Sequence, residues 1–226
     1  IFSKLIREIM VSARDGGGDP AFNPRLRTII ATAKVANMPS DNIDRAIKKG
    51  TGELGGVSFE EVMYEGYGPG GIAIMIDVLT DNKNRTVAEI RHIMNKHNGS
   101  LGENGCVAWN FEKKGMIMVD ASGVSEEALL EAALEAGAED IESGDDTCEV
   151  VTSPNDIMDV KEALEGRGIA VVSAEITMLP KTTVSMDGKA AVSVLKLMDT
   201  LEDQDDVQHV YSNFDIPDEI IAKIGG

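Results

Sequence analysis

The 226-residue sequence predicts an α+β fold: an N-terminal three-helix domain followed by two ferredoxin-like (βαββαβ) domains, one nested in the other. Three observations carry this. The first fifty residues hold three short apolar runs at helical spacing, separated by Gly/Pro breaks. Residues 115–177 read β-α-β-β-α-β, the split βαβ order. A lone β-α-β half stands on each side of that segment, and the two halves complete one another if 115–177 is an insertion. The expected domains are 1–57, 58–114 with 178–226, and 115–177.

Ile1, Leu5, Ile6, Ile9 and Met10 form the first helical stripe, and Asp15-Gly16-Gly17-Gly18-Asp19-Pro20 ends it. Asn23-Pro24 reads as an N-cap and first helical residue, followed by Leu26, Ile29, Ile30 and Ala33. Pro39-Ser40-Asp41 restarts the chain, with Ile43, Ala46 and Ile47 as the third stripe, and Gly50–Gly56 is a stop. Ile72–Val78 is a buried-type strand, Thr86-Val87-Ala88-Glu89 a capping box opening a helix with Val87, Ile90 and Met94 inward, and Asn98-Gly99 its end. Cys106–Phe111 alternates as a strand. Within 115–177, strands are expected at Met116–Asp120, Asp140–Glu142, Cys148–Thr152 and from Ile169 to Leu179. Helices begin at Ser125 and after Ser153-Pro154-Asn155-Asp156, the latter with Ile157, Val160 and Leu164 inward. The turn between the two middle strands includes Asp145 and Asp146. Thr182–Met186 then reads as a strand, Ala190–Leu201 as a helix with Val192, Leu195 and Met198 inward, and Val207–Asn213 as a strand.

Composition narrows the function. Hydrophobic residues are 42% and charged residues 27%, as in an ordinary globular protein. There is no apolar run of about 18 residues that would span a bilayer, so no membrane partner is expected. Two cysteines, Cys106 and Cys148, are too few for a disulfide framework or a thiolate metal site, and both read as small core residues. His92 and His97 are five apart on a helix and face different sides, and His209 is distant in sequence. Asp203, Asp205 and Asp206 lack the spacing of a calcium loop and read as a solvated turn. No Ser-His-Asp or Cys-His set stands out. A non-enzymatic protein with no metal and no cofactor is expected. The opening Ile1–Met10 is amphipathic without an uninterrupted apolar region, so it is not a secretory signal. It reads as a helix entered mid-stream, with residues expected before it, and a cytoplasmic location follows.

Net charge is −18, but unevenly spread. Residues 1–50 carry nine basic side chains against five acids, whereas 115–177 carry two against sixteen. An anionic partner would meet the N-terminal segment first. The candidate nucleic-acid-binding residues are therefore Lys4, Arg7, Arg14, Arg25, Arg27, Lys34, Arg45, Lys48 and Lys49. Asn82, Lys83, Asn84 and Arg85 join them, from a polar loop between strand and helix where phosphate could meet backbone donors. The alternative is an ordinary polar loop, and Arg91, His92 and Lys96 would extend its basic face. Gly66-Tyr67-Gly68-Pro69-Gly70-Gly71 formally matches G-x-G-x-x-G, but it precedes a strand and Pro69 lacks an N–H, so it reads as a tight turn rather than a dinucleotide loop.

Several stretches resemble one family. Ile1-Phe2-Ser3-Lys4-Leu5-Ile6-Arg7-Glu8-Ile9, Asn23-Pro24-Arg25-Leu26-Arg27, Ala36-Asn37-Met38-Pro39, Asn42-Ile43-Asp44-Arg45-Ala46-Ile47, Tyr64–Gly71 and Thr80–Thr86 are similar to the YebC family over essentially the whole chain. The resemblance implies a helical domain plus two α+β domains and work in gene expression rather than catalysis. Bacterial members are named as probable transcriptional regulators that bind DNA. The mitochondrial relative is a translational activator of cytochrome c oxidase, and some bacterial members associate with the ribosome and relieve stalling at proline runs. Members normally carry a basic arm of roughly twenty residues before the Ile-Phe-Ser/Thr-Lys stretch, which would add phosphate contacts; the sequence here begins after it.

Charge favours RNA over a long duplex. The acidic remainder penalises wrapping DNA, while one basic end suits an RNA-rich cleft. The expectation is a ribosome- or RNA-associated translation factor, monomeric rather than an obligate oligomer. A DNA-binding transcriptional regulator is the alternative, because a three-helix bundle can imitate helix-turn-helix. A small-molecule or protein-binding effector module is a third reading, by analogy with other tandem split βαβ modules.

Overall fold

The structure is a computed structural model that describes residues 2–55, 58–144, 147–217 and 220. Ile1 of the first expected stripe, Gly56 of the expected Gly50–Gly56 stop and the expected Asp145-Asp146 turn lie outside the described residues. The chain divides into two compact units: the residues up to Ala108 together with those from Thr183 onward, and Trp109–Thr182.

The first unit opens with three helices, α1 (Phe2–Gly16), α2 (Pro24–Val35) and α3 (Ser40–Gly50). Their apolar stripes meet in one core of Leu5, Ile9, Leu26, Ile29, Ala33, Ile43 and Ala46. Asn23 caps α2 by accepting from the Leu26 N–H, as its sequence position suggests. It does more. It is buried, and its Nδ2 donates to the carbonyls of Ser12 and Gly17, tying the second helix to the end of the first.

The sheet of this unit contains β1 (Glu60–Tyr67), β2 (Ala73–Thr80), β3 (Ser100–Leu101) and, later in the chain, the strand at Val207–Ser212. A helix, α4 (Lys83–Lys96), joins β2 to β3. β1 and β2 form an antiparallel hairpin registered from Glu60↔Thr80 to Tyr67↔Ala73. The glycine run thus links two antiparallel strands, not a strand to a helix. Close approach explains two of its glycines: a Cβ on Gly66 would lie 2.4 Å from the Ser100 carbonyl oxygen, and one on Gly68 would lie 2.8 Å from the Ile72 and Ile74 side chains.

The second unit contains β4 (Phe111–Asp120), α5 (Glu126–Ala136), β5 (Asp140–Ser143), β6 (Thr147–Thr152), α6 (Ile157–Gly166) and β7 (Val171–Pro180). Its strands lie in the order β5-β6-β4-β7, all antiparallel, the ferredoxin-like arrangement. Ile117, Val119, Leu129, Val150, Val160 and Leu164 fill the core beneath the two helices. Ser125 caps α5 through the Ala128 N–H, and Gly137 ends it in the left-handed region at φ 98°. α6 begins after 153–156 as expected, and Asp156 at its start makes no side-chain cap hydrogen bond.

The chain then returns to the first unit through β8 (Val184–Ser185), α7 (Gly188–Glu202), β9 (Val207–Ser212) and β10 (Phe214–Asp215). The main sheet has the order β3-β1-β2-β9. This matches the second unit's order, with β3, β2 and β9 in the places of β5, β4 and β7, and β1, the first strand in sequence, in the place of β6. Two expected strands therefore do not form as read. Residues 106–111 are a turn and a short 3-10 helix leading into β4, because Glu65 captures that backbone. Residues 182–186 contribute only the two-residue β8, which pairs in parallel with β10 outside the main sheet. α4 begins three residues before Thr86, which is buried inside the helix instead of capping it. On α7 the inward stripe is Ala191, Val194, Leu197, Met198 and Leu201, and Val192 is 49% exposed.

Candidate nucleic-acid interface

The basic residues of the first unit separate into two groups. The first group is held by acids and carbonyls of its own unit. Lys4 on α1 donates through Nζ to the Glu202 carbonyl, 2.5 Å away. Partial burial pulls its ammonium below the usual lysine range, although Glu202, Asp203 and Asp205 pull it back. Arg7, one turn on, pairs with Asp206 Oδ1 at 2.7 Å, donates to the Asp205 carbonyl, and lies 5.5 Å from the centroid of the Phe59 ring. Arg14 bonds Asp15 at 2.7 Å and the Phe59 carbonyl. Arg25 reaches Glu61 on β1 at 2.5 Å.

The polar loop is neutralised in the same way. Asn82 is the N-cap of α4, accepting from the Arg85 N–H at 3.1 Å, so its oxygen already satisfies a first-turn donor. Lys83 pairs with Glu60 at 2.5 Å. Arg85 bridges Asp81 at 2.7 Å and Asp206 at 2.9 Å, and hydrogen bonds to these carboxylates, Asp206 first, make its guanidinium still more basic. Asn84 is exposed, as are Arg91, His92 and Lys96 along α4.

Asp206 organises this corner. It is 2% exposed, not part of a solvated turn. Its Oδ1 meets Arg7, and its Oδ2 meets Arg85 together with the hydroxyls of Thr86 at 2.5 Å and Thr80 at 3.2 Å. Burial pushes its pKa up, but the Thr86 and Arg85 hydrogen bonds and the two guanidinium charges overcome that and hold the carboxyl below its ordinary value. A buried carboxylate demands such partners, and both arginines are spent on it. Spacing could not reveal it, since the partners lie more than a hundred residues away.

Glu65 was equally hidden. It is 6% exposed on β1 and accepts from the backbone N–H groups of Gly105, Val107 and Ala108 at 2.6, 2.9 and 2.8 Å. Burial raises its pKa, but the three donors outweigh that and the carboxyl sits below the usual glutamate value. Cys106 lies in the captured segment, where burial pushes its thiol up, and Cys148 is buried in the second unit. Neither is arranged as a nucleophile. Among the described residues, no cluster of three His, Cys, Asp or Glu side chains could hold a metal ion. Among the same residues, no helix is long and apolar enough to cross a membrane.

The second group of cations faces outward. Arg27, Lys34, Arg45, Lys48 and Lys49 are all exposed on α2 and α3. Arg27 donates to the Pro20 carbonyl at 3.2 Å, which fixes its stem. Lys34 and Lys48 line a groove of about 580 Å³ between α2, α3 and the loop at Gly18–Pro20. Lys49 lines a second groove, of about 440 Å³, with Ser3, Ile6 and Phe59. Lys48 and Lys49 occupy the last turn of α3, where cations also suit the helix dipole. The candidate residues are thus not one continuous surface. The structure brings Arg7 and Arg85 together around an acid and leaves the α2–α3 set to solvent.

Two family models match the chain. One describes the TACO1/YebC protein N-terminal domain and covers residues 1–53; the other describes the TACO1/YebC second and third domain and covers 59–214. A relative from Desulfosudis oleivorans, named "Probable transcriptional regulatory protein", is 58% identical over 97% of this chain and 89% of its own length. A relative with the same name from Dictyoglomus turgidum is 56% identical over 99% of this chain and 90% of its own. The crystal structure of a conserved hypothetical protein from Aquifex aeolicus is similar at a TM-score of 0.84 and 55% identity, covering 96% of this chain and 89% of that one. With helical segment and α+β segments each matched in full sequence order, the chain belongs to the TACO1/YebC family.

Proposed function

We propose that this protein is a non-enzymatic regulator of gene expression that binds nucleic acid through α2 and α3 of its helical domain, and that its target is RNA of the translation machinery. The observation that carries the reading is the exposed set Arg27, Lys34, Arg45, Lys48 and Lys49 in a chain whose net charge is −18. Arg7 and Arg85 serve the buried Asp206 and Lys4 donates to the Glu202 carbonyl, so an incoming phosphate would have to displace a carboxylate or a backbone carbonyl to reach them. The α2–α3 set meets no such competition from a buried acid. The names of the relatives support regulation of gene expression in general.

RNA is preferred on charge. A long duplex laid along the helical domain would run towards a chain remainder that is strongly acidic, whereas a compact basic surface fits a fold of ribosomal RNA. The second reading, a DNA-binding transcriptional regulator, is favoured by the names of the relatives. Competition between purified ribosomes and a promoter-length duplex, across a salt series, separates the two. Saturable ribosome binding that survives physiological salt supports the translation reading. Tight, sequence-dependent duplex binding overturns it in favour of transcription.

A further inference from the structure

We propose that the groove between α2, α3 and the Gly18–Pro20 loop is a site for an unpaired nucleotide, with Phe22 as a stacking platform for the neighbouring base. This rests on the nucleic-acid reading above and adds the conformation of the ligand: bases outside a helix, not a closed duplex.

The groove has the chemistry of a nucleobase site. Its volume is about 580 Å³, and Pro20, Ile30, Ile43 and Ile47 line it with apolar surface. A base has two apolar faces and a polar edge, so it can lay a face on such a floor. Asp44 and Glu53 stand at the same groove and accept hydrogen bonds, which suits the amino group of an exposed base edge. Lys34 and Lys48 supply cations from two different helices, where the phosphates flanking an inserted base would pass. A closed duplex hides its base faces in its own stack and has no use for an apolar groove.

Phe22 is the second, independent observation. It is 85% exposed. A lone apolar side chain at the surface is ordinary, but this one is held there by a braced loop. The Phe22 N–H donates to the Asp19 carbonyl at 3.1 Å and the Ala21 N–H to Asp19 Oδ1 at 2.9 Å. Arg27 grips the Pro20 carbonyl, and the buried Asn23 anchors the loop's other end through Ser12 and Gly17. The same loop supplies Pro20 to the groove, so ring and groove share one support. A rigid aromatic with few rotamers loses little entropy on stacking, and the exposed Arg27 follows it five residues on.

The test compares fluorescein-labelled RNA hairpins bearing a short unpaired loop with the same stem closed as a blunt duplex, measured by anisotropy on the full chain. The hairpin should bind more tightly. Phe22→Ala should weaken hairpin binding roughly 5- to 150-fold, the range for one lost base–aromatic stack, and leave the duplex unchanged; Phe22→Tyr should restore it. Ile47→Trp, which fills the groove, should also weaken the hairpin, with circular dichroism melting as the check on folding. Equal binding of hairpin and duplex, or hairpin binding untouched by both Phe22→Ala and Ile47→Trp, overturns this inference alone. Failure to bind either RNA, ribosomes or duplex DNA overturns the nucleic-acid reading itself.

Discussion

At the residue scale, Asp206 is a buried side chain whose loss should be costly. Its carboxylate is shared between Arg7 and Arg85 and two threonine hydroxyls. Asp206→Asn keeps the volume but removes the charge that both guanidiniums answer. Breaking a buried pair costs about 3–5 kcal/mol. Arg85 is half exposed and rehydrates, so about 2–3 kcal/mol in urea unfolding is the expected loss. Glu65→Gln should cost about 1–3 kcal/mol, because an amide nitrogen would replace one acceptor facing three N–H donors. The two acids also set the pH response. Both are held below their ordinary values of 3.8 and 4.5 in the folded state. Their contribution is therefore complete above those values and is lost as pH falls through the folded-state pKa. Glu8 runs the other way: burial raises it above 4.5, so its share is present in acid and is lost as pH rises through the raised value. The acid limb of a stability–pH curve should flatten in Asp206→Asn. An unchanged limb would mean that other carboxylates govern acid unfolding.

At the element scale, the inward face of α7 decides which substitutions matter. Leu197→Ala should cost about 2–5 kcal/mol, since Leu197 is fully buried in the main core. Val192→Lys should change stability by less than about 0.5 kcal/mol, because Val192 points to solvent. Thermal melts of the two variants check both. The sequence pattern put Val192 inward because apolar residues occupy seven of the nine positions from Ala190 to Met198, and so dense a run has no single readable stripe. Elements with a polar face were legible: of the described residues that their spacing marks, α1, α2, α3 and α6 bury all but Ile6, Ile30 and Ile47, which are half-buried. β1 was not, since Glu60, Glu61 and Glu65 interrupt its alternation and only the β2 register explains their place. Residues 106–111 alternate like a strand, yet a buried Glu65 outcompetes strand pairing there by satisfying three N–H groups at once. Of the candidate interface, the basic bias of the first fifty residues could be read directly. The diversion of Arg7 and Arg85 to Asp206, and of Lys4 to the Glu202 carbonyl, could not, because charge counting does not see which cation a group far along the chain will claim.

At the scale of the whole molecule, the proposed function requires a chain with 39 acidic and 21 basic side chains to bind a polyanion. Averaged over the surface, such a charge repels nucleic acid, and only a local field can reverse the sign. Residues 1–50 supply that field, but about half of their cations are tied to partners within the first unit. The effective contact count should therefore fall well short of the nine basic residues in the segment. Binding of a polyanion that releases counterions reports this count directly, since each phosphate neutralised adds about 0.7 to the log–log salt slope for single strands and about 0.9 for duplex. Lys34→Ala, Arg45→Ala and Lys48→Ala together should lower the slope by roughly two to three. Arg7→Ala should leave the slope nearly unchanged while lowering the melting temperature, because its charge is answered by Asp206 rather than by phosphate. Anisotropy titrations of an RNA hairpin over a salt series, with melts of each variant alongside, read both quantities. A slope that drops with Arg7→Ala and holds in the triple variant would move the binding surface off α2 and α3 and onto α1.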